Sequence, residues 1–183
     1  MTSLAVQQRG LLDLIKGRAA NASDPYLRDI ADCRELAMLR EIAVWWRKVH
    51  VESQCRFTSR LLKRLGNFDS VVSAYFNENA TSPFVEELAL DFLRTLREDP
   101  DPLVRAVSQF EYALQSVRFG GADVFEIIWD RHPDLVIRAL ERASELPAAE
   151  AGCVYRMKVA KDIPGLIGCT RTLMQFATAF ACE

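Results

Sequence analysis

The stretch EIAVWWRKVHVESQCRFTSRLLKR, residues 41–64, joins a helical apolar pattern to a dense run of cations. From Arg34 onward the apolar residues recur at the three- and four-residue spacing of an α-helix. One side of this predicted helix carries the residues expected to face the core, which are Leu36, Leu39, Ile42, Ala43, Trp46, Phe57 and Leu61. His50 falls on the same side, whereas Trp45 lies off the stripe beside Lys48 and Arg56. These positions assume one unbroken helix.

The segments around this stretch predict further helices, separated by strong stop signals. Gly66 and Asn67 end the long helix, and Pro83 after Ser82 suits the first turn of a later one. The other expected helices cover residues 4–15, 68–76 and 103–117. Gly120 and Gly121 then end the helical part. The first 120 residues are therefore interpreted as a helical domain.

The sequence changes character after Gly121. VFEIIW (124–129) is rich in strand-forming residues, and CVYRMKVA (153–160) alternates with a period of two. A helix beginning at Pro133 is expected between them, and residues 166–180 predict a further strand that turns into a helix. The predicted fold is thus α+β and mostly α, with a helical bundle in 1–120 and a small module with a short antiparallel sheet in 121–183.

Composition narrows the class of protein. The chain has 183 residues, half of them hydrophobic, and a net charge of -2, whereas a general nucleic-acid binder is clearly basic. Its five Cys residues are scattered and form no CxxC pair, which favours a reducing compartment. The N-terminus lacks the apolar run of a signal peptide, and no apolar window approaches a membrane span. We therefore expect a soluble, cytoplasmic protein.

No catalytic motif stands out. The two His residues, His50 and His132, have no carboxylate at metal-ligand spacing, and no GxGxxG, P-loop or GxSxG stretch occurs. His50 is interpreted as a core or interface residue. We expect no metal, no cofactor and no catalytic residue in this chain, so it does not resemble an enzyme that acts alone.

Two stretches are candidates for binding. The cations of residues 40–64 are typical of a solvated helix face, but Trp45 beside Arg residues also has the composition of a protein interface, and nucleic acid remains an alternative. The strand 153–160 places Arg156 and Lys158 on one face and Tyr155 on the other. At a sheet edge it would accept an acidic peptide by main-chain pairing; otherwise it is an ordinary half-buried strand.

The stretch RFTSRLLKRLGNFDSVVSAYFNENATSPFVEELALDFLRTL resembles the helical domain of proteins encoded beside TIM-barrel, multinuclear non-haem iron enzymes that modify ribosomally made peptides. The Arg-Leu-Leu turn, the Ser-Pro helix start with DFL, and FEYAL at 110–114 carry the likeness, as does YRMKVAKDIPGLIGC near the C-terminus. The partner subunits of methanobactin biosynthesis and of thiaglutamate pathways are closest in size. Both pathways modify a peptide cysteine.

The resemblance implies a non-catalytic partner subunit that forms a heterodimer. It would dock on the iron enzyme, which holds the metals, and bind the leader or carrier peptide. It implies docking through Trp45, Arg56 and Arg60, and peptide binding through Tyr155, Arg156 and Lys158. Two alternatives stay open: a helical DNA-binding regulator that uses residues 40–64, and a stand-alone enzyme with a Cys thiolate.

Overall fold

The computed structural model describes residues 3–17, 24–79, 85–120, 124–163, 165 and 167–173. It confirms the predicted fold class: 66% of this part is helical, with eight α-helices and a three-stranded antiparallel sheet near the C-terminus. The helices are α1 (Leu4–Ile15), α2 (Pro25–Ala31), α3 (Arg34–Gln54), α4 (Arg56–Arg64), α5 (Phe68–Glu78), α6 (Val85–Thr95), α7 (Pro102–Arg118) and α8 (Pro133–Arg142). The strands are β1 (Val124–Trp129), β2 (Cys153–Ala160) and β3 (Ile167–Leu173), and a short 3-10 helix spans Leu96–Glu98.

One hydrophobic core joins the helices to the sheet. Phe92 of α6, Phe110 of α7, Trp129 of β1 and Met157 of β2 are all buried in it. The rings of Phe110 and Trp129 meet edge to face with their centroids 6.2 Å apart. The predicted units 1–120 and 121–183 therefore share this core.

A second, smaller core lies at the N-terminal end. It consists of Leu14, Leu27 and Leu36, from α1, α2 and the first turn of α3. α1 comes close to α2 at Gly10, where an added Cβ would lie 2.2 Å from Leu27 Cδ1. Arg40 Nε also donates to the carbonyl oxygen of Leu14 at 2.7 Å, so α1 is held against α3.

The sheet has the order β1-β2-β3, with β2 in the centre. Both backbone edges of β2 are hydrogen-bonded, since Lys158 faces Glu126 of β1 and Gly168 of β3 in register. Of the two interpretations of residues 153–160, the sheet edge is therefore wrong, and the strand is the half-buried one. Alternation gave the two faces of the strand, but it carries no information about which strands flank it.

The long helix expected from Arg34 is broken at Cys55, whose φ of −105° and ψ of 59° are not helical. The prediction of which α3 residues face the core is also partly wrong. Leu36 is buried, but Leu39, Ile42 and Trp46 are each about half exposed, at 49–50%. β3 confirms the strand expected within 166–180. The helix expected to follow it, the predicted helix start at Ser82 and Pro83 and the stop at Gly121 lie outside the described residues.

The C-cap of α8 gives a test of the fold. Ala143 has a φ of 55° and a ψ of 29°, the left-handed region that glycine adopts without a Cβ penalty. We expect Ala143→Gly to raise the free energy of unfolding by about 0.5–1 kcal/mol, measured by urea titration. The exposed helical Ala74→Gly should lower it by about 1 kcal/mol. A loss of stability in Ala143→Gly would contradict the left-handed cap.

Candidate functional site

The break between α3 and α4 is held by a buried carboxylate from another helix. Glu111 of α7 accepts the backbone N–H of Phe57 at 2.6 Å on Oε1 and that of Thr58 at 2.8 Å on Oε2. These N–H groups belong to the first turn of α4, which has no partner for them within the helix. Cys55 at the N-cap makes no side-chain cap, so Glu111 provides it from a distance of more than 50 residues along the chain.

Burial governs the charge of this glutamate. Removal from water raises the pKa of Glu111 from 4.5 to about 7, even though its hydrogen bonds to Thr58 and Phe57 favour the ionised form. The neighbouring Cys55 thiol is also buried and lies within reach of the Ala89 carbonyl, with Sγ 3.8 Å from the oxygen. Burial, and then the charge of Glu111, raise the pKa of Cys55 well above its usual range. This thiol is therefore protonated at neutral pH, unlike a nucleophilic cysteine.

An apolar face of α3 is in contact with solvent. Five large side chains of this helix are 49–57% exposed: Met38, Leu39, Ile42, Trp45 and Trp46. We call them the α3 apolar face. At 3.6 residues per turn they all lie within about 60° of Ile42, whereas Leu36, Arg47 and Val51 lie about 120–180° away, on the side towards the protein. The helix is thus most apolar on the side opposite to its own core.

The aromatic residues give this face shape and size. The rings of Trp45 and Trp46 meet edge to face with centroids 5.1 Å apart, and His50 stacks on Trp46 at 5.6 Å. Trp45 also lines a shallow groove of about 390 Å³ with Arg40, Glu41, Val44 and Lys48. Half-exposed side chains of 150–250 Å² each give an apolar patch of roughly 500 Å². This is at the upper end for a monomer, where such patches usually mark interaction sites.

The inward and flanking cations of α3 are used within the protein. The guanidinium of Arg47 lies 5.1 Å from the centroid of the Phe76 ring, and burial lowers its pKa. Lys48 Nζ is 2.5 Å from Asp69 Oδ1, which ties α3 to α5. A long Arg stem can cover apolar surface while its charged end stays near water. Charged residues therefore fill part of the core-facing side of α3.

Three of the four cations of α4 are also used internally. Arg60 Nη1 donates to the carbonyls of Leu140 and Glu141 at 3.1 and 3.3 Å, at the C-terminal end of α8. Arg64 donates to the Ser144 and Ala139 carbonyls at 2.5 and 3.1 Å. Both arginines cap α8 and match the negative end of its dipole. Lys63 pairs with Glu52.

The predicted docking residues are not brought together. Trp45 belongs to the α3 apolar face, Arg60 is engaged with α8, and Arg56 lies exposed at the start of α4 beside a separate cavity. Sequence reasoning assigned Leu39, Ile42 and Trp46 to the core and did not single out Met38. The apolar spacing of these residues is visible in the sequence, but spacing does not show which side of a helix packs against the rest of the protein.

The predicted peptide residues lie on two faces of the sheet. Arg156 and Lys158 point outward, where Arg156 Nη1 is 2.5 Å from Glu126 Oε1. They line a groove of about 420 Å³ together with Val124, Glu126, Ile163, Gly168, Cys169 and Thr170. Tyr155 is buried on the other face, and its hydroxyl donates to Glu150 Oε1 at 2.8 Å. The groove can therefore contact Arg156 and Lys158, but not Tyr155.

No family model, curated protein or solved structure matches this chain. Within the part of the chain that the structure describes, no three His, Cys, Asp or Glu side chains are grouped so as to hold a metal ion. None of the described helices is both long and apolar enough to cross a membrane.

The buried carboxylate predicts a pH dependence of stability. An acid whose pKa is higher in the folded than in the unfolded state stabilises the fold at low pH, and this contribution is lost as pH rises from about 4.5 to about 7. Glu111 should therefore lower the free energy of unfolding by about 3 kcal/mol across this range, since one pH unit is worth about 1.4 kcal/mol. Glu111→Gln removes this term, so its stability relative to wild type should rise with pH in urea unfolding at pH 5 and pH 8.

The exposed Glu145→Gln is the matched control and should follow the wild type at both pH values. Parallel stability curves for wild type and Glu111→Gln would show that the pKa of Glu111 is not raised in the folded state. The proposed balance of burial and capping would then be wrong.

Proposed function

We propose that this chain is a non-catalytic partner subunit that docks on a catalytic protein through the α3 apolar face and binds a peptide on its C-terminal sheet. The observation that carries the proposal is the orientation of α3, which presents two tryptophans and three aliphatic side chains opposite to its own core. Burial of such a surface against a partner stabilises a complex. Aromatic side chains are also the commonest hot spots of protein interfaces.

The sequence resemblance suggests which enzyme the partner is. In this proposal the partner is a TIM-barrel multinuclear non-haem iron enzyme that modifies a cysteine of a ribosomally made peptide in the cytoplasm. In this proposal the iron belongs to the partner, and the present chain contributes the docking surface and the peptide-binding surface. The roughly 500 Å² of the α3 apolar face is more than half of the 800 Å² or so that each partner buries in a standard interface.

The docking that we propose is mainly apolar. Arg40, Arg47, Lys48, Arg60, Lys63 and Arg64 each have a partner within the chain, so the basic stretch has few cations left for another molecule. The same observation weighs against the DNA-binding alternative, because phosphate contacts need cations that are free to displace counterions. DNA binding through residues 40–64 is therefore the weaker hypothesis.

Peptide binding is assigned to the outward face of the sheet rather than to an edge of β2. Arg156 and Lys158 provide positive charge there, and Val124 and Ile128 are exposed apolar neighbours on β1. An acidic peptide with apolar side chains would match this surface. Glu126 already pairs with Arg156, so a bound carboxylate competes with it for this arginine.

Docking can be tested by co-purification with a TIM-barrel iron enzyme encoded beside this chain. We expect Ile42→Glu and Trp46→Glu each to weaken the complex at least tenfold, or about 1.4 kcal/mol, because each places a charge in the apolar contact. Calorimetric titration of the purified proteins measures the change. Both side chains are half exposed, so the melting temperature of the isolated variant should stay close to that of the wild type.

Leu135→Glu is the matched control, because Leu135 is 49% exposed on α8, away from the α3 apolar face. It should leave binding unchanged. Wild-type affinity in both α3 variants, or an equal loss in the control, would remove this face from the interface. Failure of the wild-type chain to bind the enzyme at all would remove the proposed partner class.

Peptide binding is tested with the labelled precursor peptide in fluorescence anisotropy. Arg156→Glu and Lys158→Glu should each lower the affinity at least fivefold, and the wild-type affinity should fall with salt, since the contacts are between exposed charges. Both variants should still bind the enzyme. Arg142→Glu on α8 makes the same charge change on another surface and should have no effect. Unchanged peptide affinity in both sheet variants would place the peptide elsewhere.

A further inference from the structure

A cavity of about 400 Å³ opens where α3 ends, α4 begins and α7 passes beside them. Gln54, Arg56 and Phe57 line it from the break, and Gln115, Arg118 and Phe119 line it from the end of α7. Glu111, the carboxylate that caps α4, lies at the same cavity. The cap holds the backbone of Phe57 and Thr58 in place beside the cavity.

Two exposed arginines lie at the rim of the cavity. Arg56 and Arg118 are both exposed, and neither forms a hydrogen bond or ion pair with another described residue. Other arginines of this region, such as Arg60 and Arg64, are taken up by α8. Burial raises the pKa of Glu111 and the charge of Arg56 lowers it, but Glu111 brings at most one negative charge against two positive ones, so the rim keeps a net positive charge. The rim therefore favours an anion.

The side-chain oxygen of Gln115 lacks a hydrogen-bond donor among the described residues. Gln115 Nε2 donates to the carbonyl oxygen of Gln54 at 2.8 Å, which fixes the orientation of the amide. Its Oε1 is buried and accepts no hydrogen bond from the described residues. A buried acceptor without a donor is costly, so a ligand N–H in this position would be stabilising.

We propose that this cavity binds a peptide carboxylate together with an adjacent peptide N–H, the carboxylate between Arg56 and Arg118 and the N–H on Gln115 Oε1. Phe119, which is 63% exposed at the rim, and the partly buried Phe57 provide apolar contacts for the ligand's side chain. Inorganic phosphate fits less well, because Glu111 repels its second negative charge and it has no side chain to contact Phe57 and Phe119. The site is independent of the docking function, since it shares no residue with the α3 apolar face.

The test uses the full chain labelled with ¹⁵N and three N-acetyl-Gly-Phe probes: the free acid, its C-terminal amide, and the acid with a methyl group on the Phe nitrogen. We expect the free acid to shift the backbone resonances of Phe57 and Gln115 at millimolar concentration. The amide should bind at least tenfold more weakly because it lacks the charge. The methylated acid should bind about fivefold more weakly, because Gln115 loses its donor.

Arg56→Gln and Arg118→Gln should each weaken binding of the free acid at least fivefold, while Arg138→Gln, an exposed change on α8, leaves it unchanged. N-acetyl-Gly-Glu-Gly-amide tests a side-chain carboxylate as the source: if it binds more tightly than the free acid with the same dependence on the arginines, an internal Glu is the ligand group. The proposal is overturned if none of the carboxylate probes shifts Phe57 or Gln115. It is also overturned if inorganic phosphate binds as tightly as they do through the same arginines.

Discussion

The carboxylate of Glu111, held on α7, accepts two backbone N–H groups in the first turn of α4, and the course of the chain from α3 to α4 depends on this contact. A helix that starts inside a protein needs acceptors for its first N–H groups, and Cys55 provides none through its side chain. Cys55 N still donates to Val51 O at 2.8 Å and Ser59 N to Cys55 O at 2.8 Å, so the backbone bonds flank the bend closely. The cap allows the bend without leaving buried donors unpaired.

α3 and α4, on the two sides of the bend, contact the core in different ways. α4 buries Thr58, Ser59, Leu61 and Leu62 in the main core and uses its arginines to hold α8. α3 is anchored at its ends, through Leu36 in the small core and Val51 in the main core, and none of the residues between them is buried. A helix supported at both ends keeps a rigid, extended apolar face in solvent. Such a face suits docking, because little conformational entropy is lost when a partner covers it.

The two other surfaces that we assign to binding depend on the same framework in different ways. The outward face of the sheet stands on β2, whose opposite face packs Tyr155 and Met157 against the protein. The cavity at the bend is lined by residues on both sides of the Glu111 cap. Docking and the two binding surfaces therefore involve separate sets of side chains, and each can be changed without altering the others. This separation suits a chain that contributes surfaces to a larger assembly.

The class of fold, most of the described helices and the three strands could be predicted from the sequence alone, because apolar periodicity and Gly, Asn and Pro signals are local. The sequence also indicated that Arg156 and Lys158 share a face, which follows from the period of two in a strand. The bend at Cys55 was decided by Glu111, which is 56 residues away along the chain, so no local pattern contained it. Periodicity shows that a helix has an apolar side, but only the packing of α1, α5 and α6 around α3 decided that this side meets solvent. The central place of β2 is likewise a matter of strand pairing, which alternation leaves undetermined.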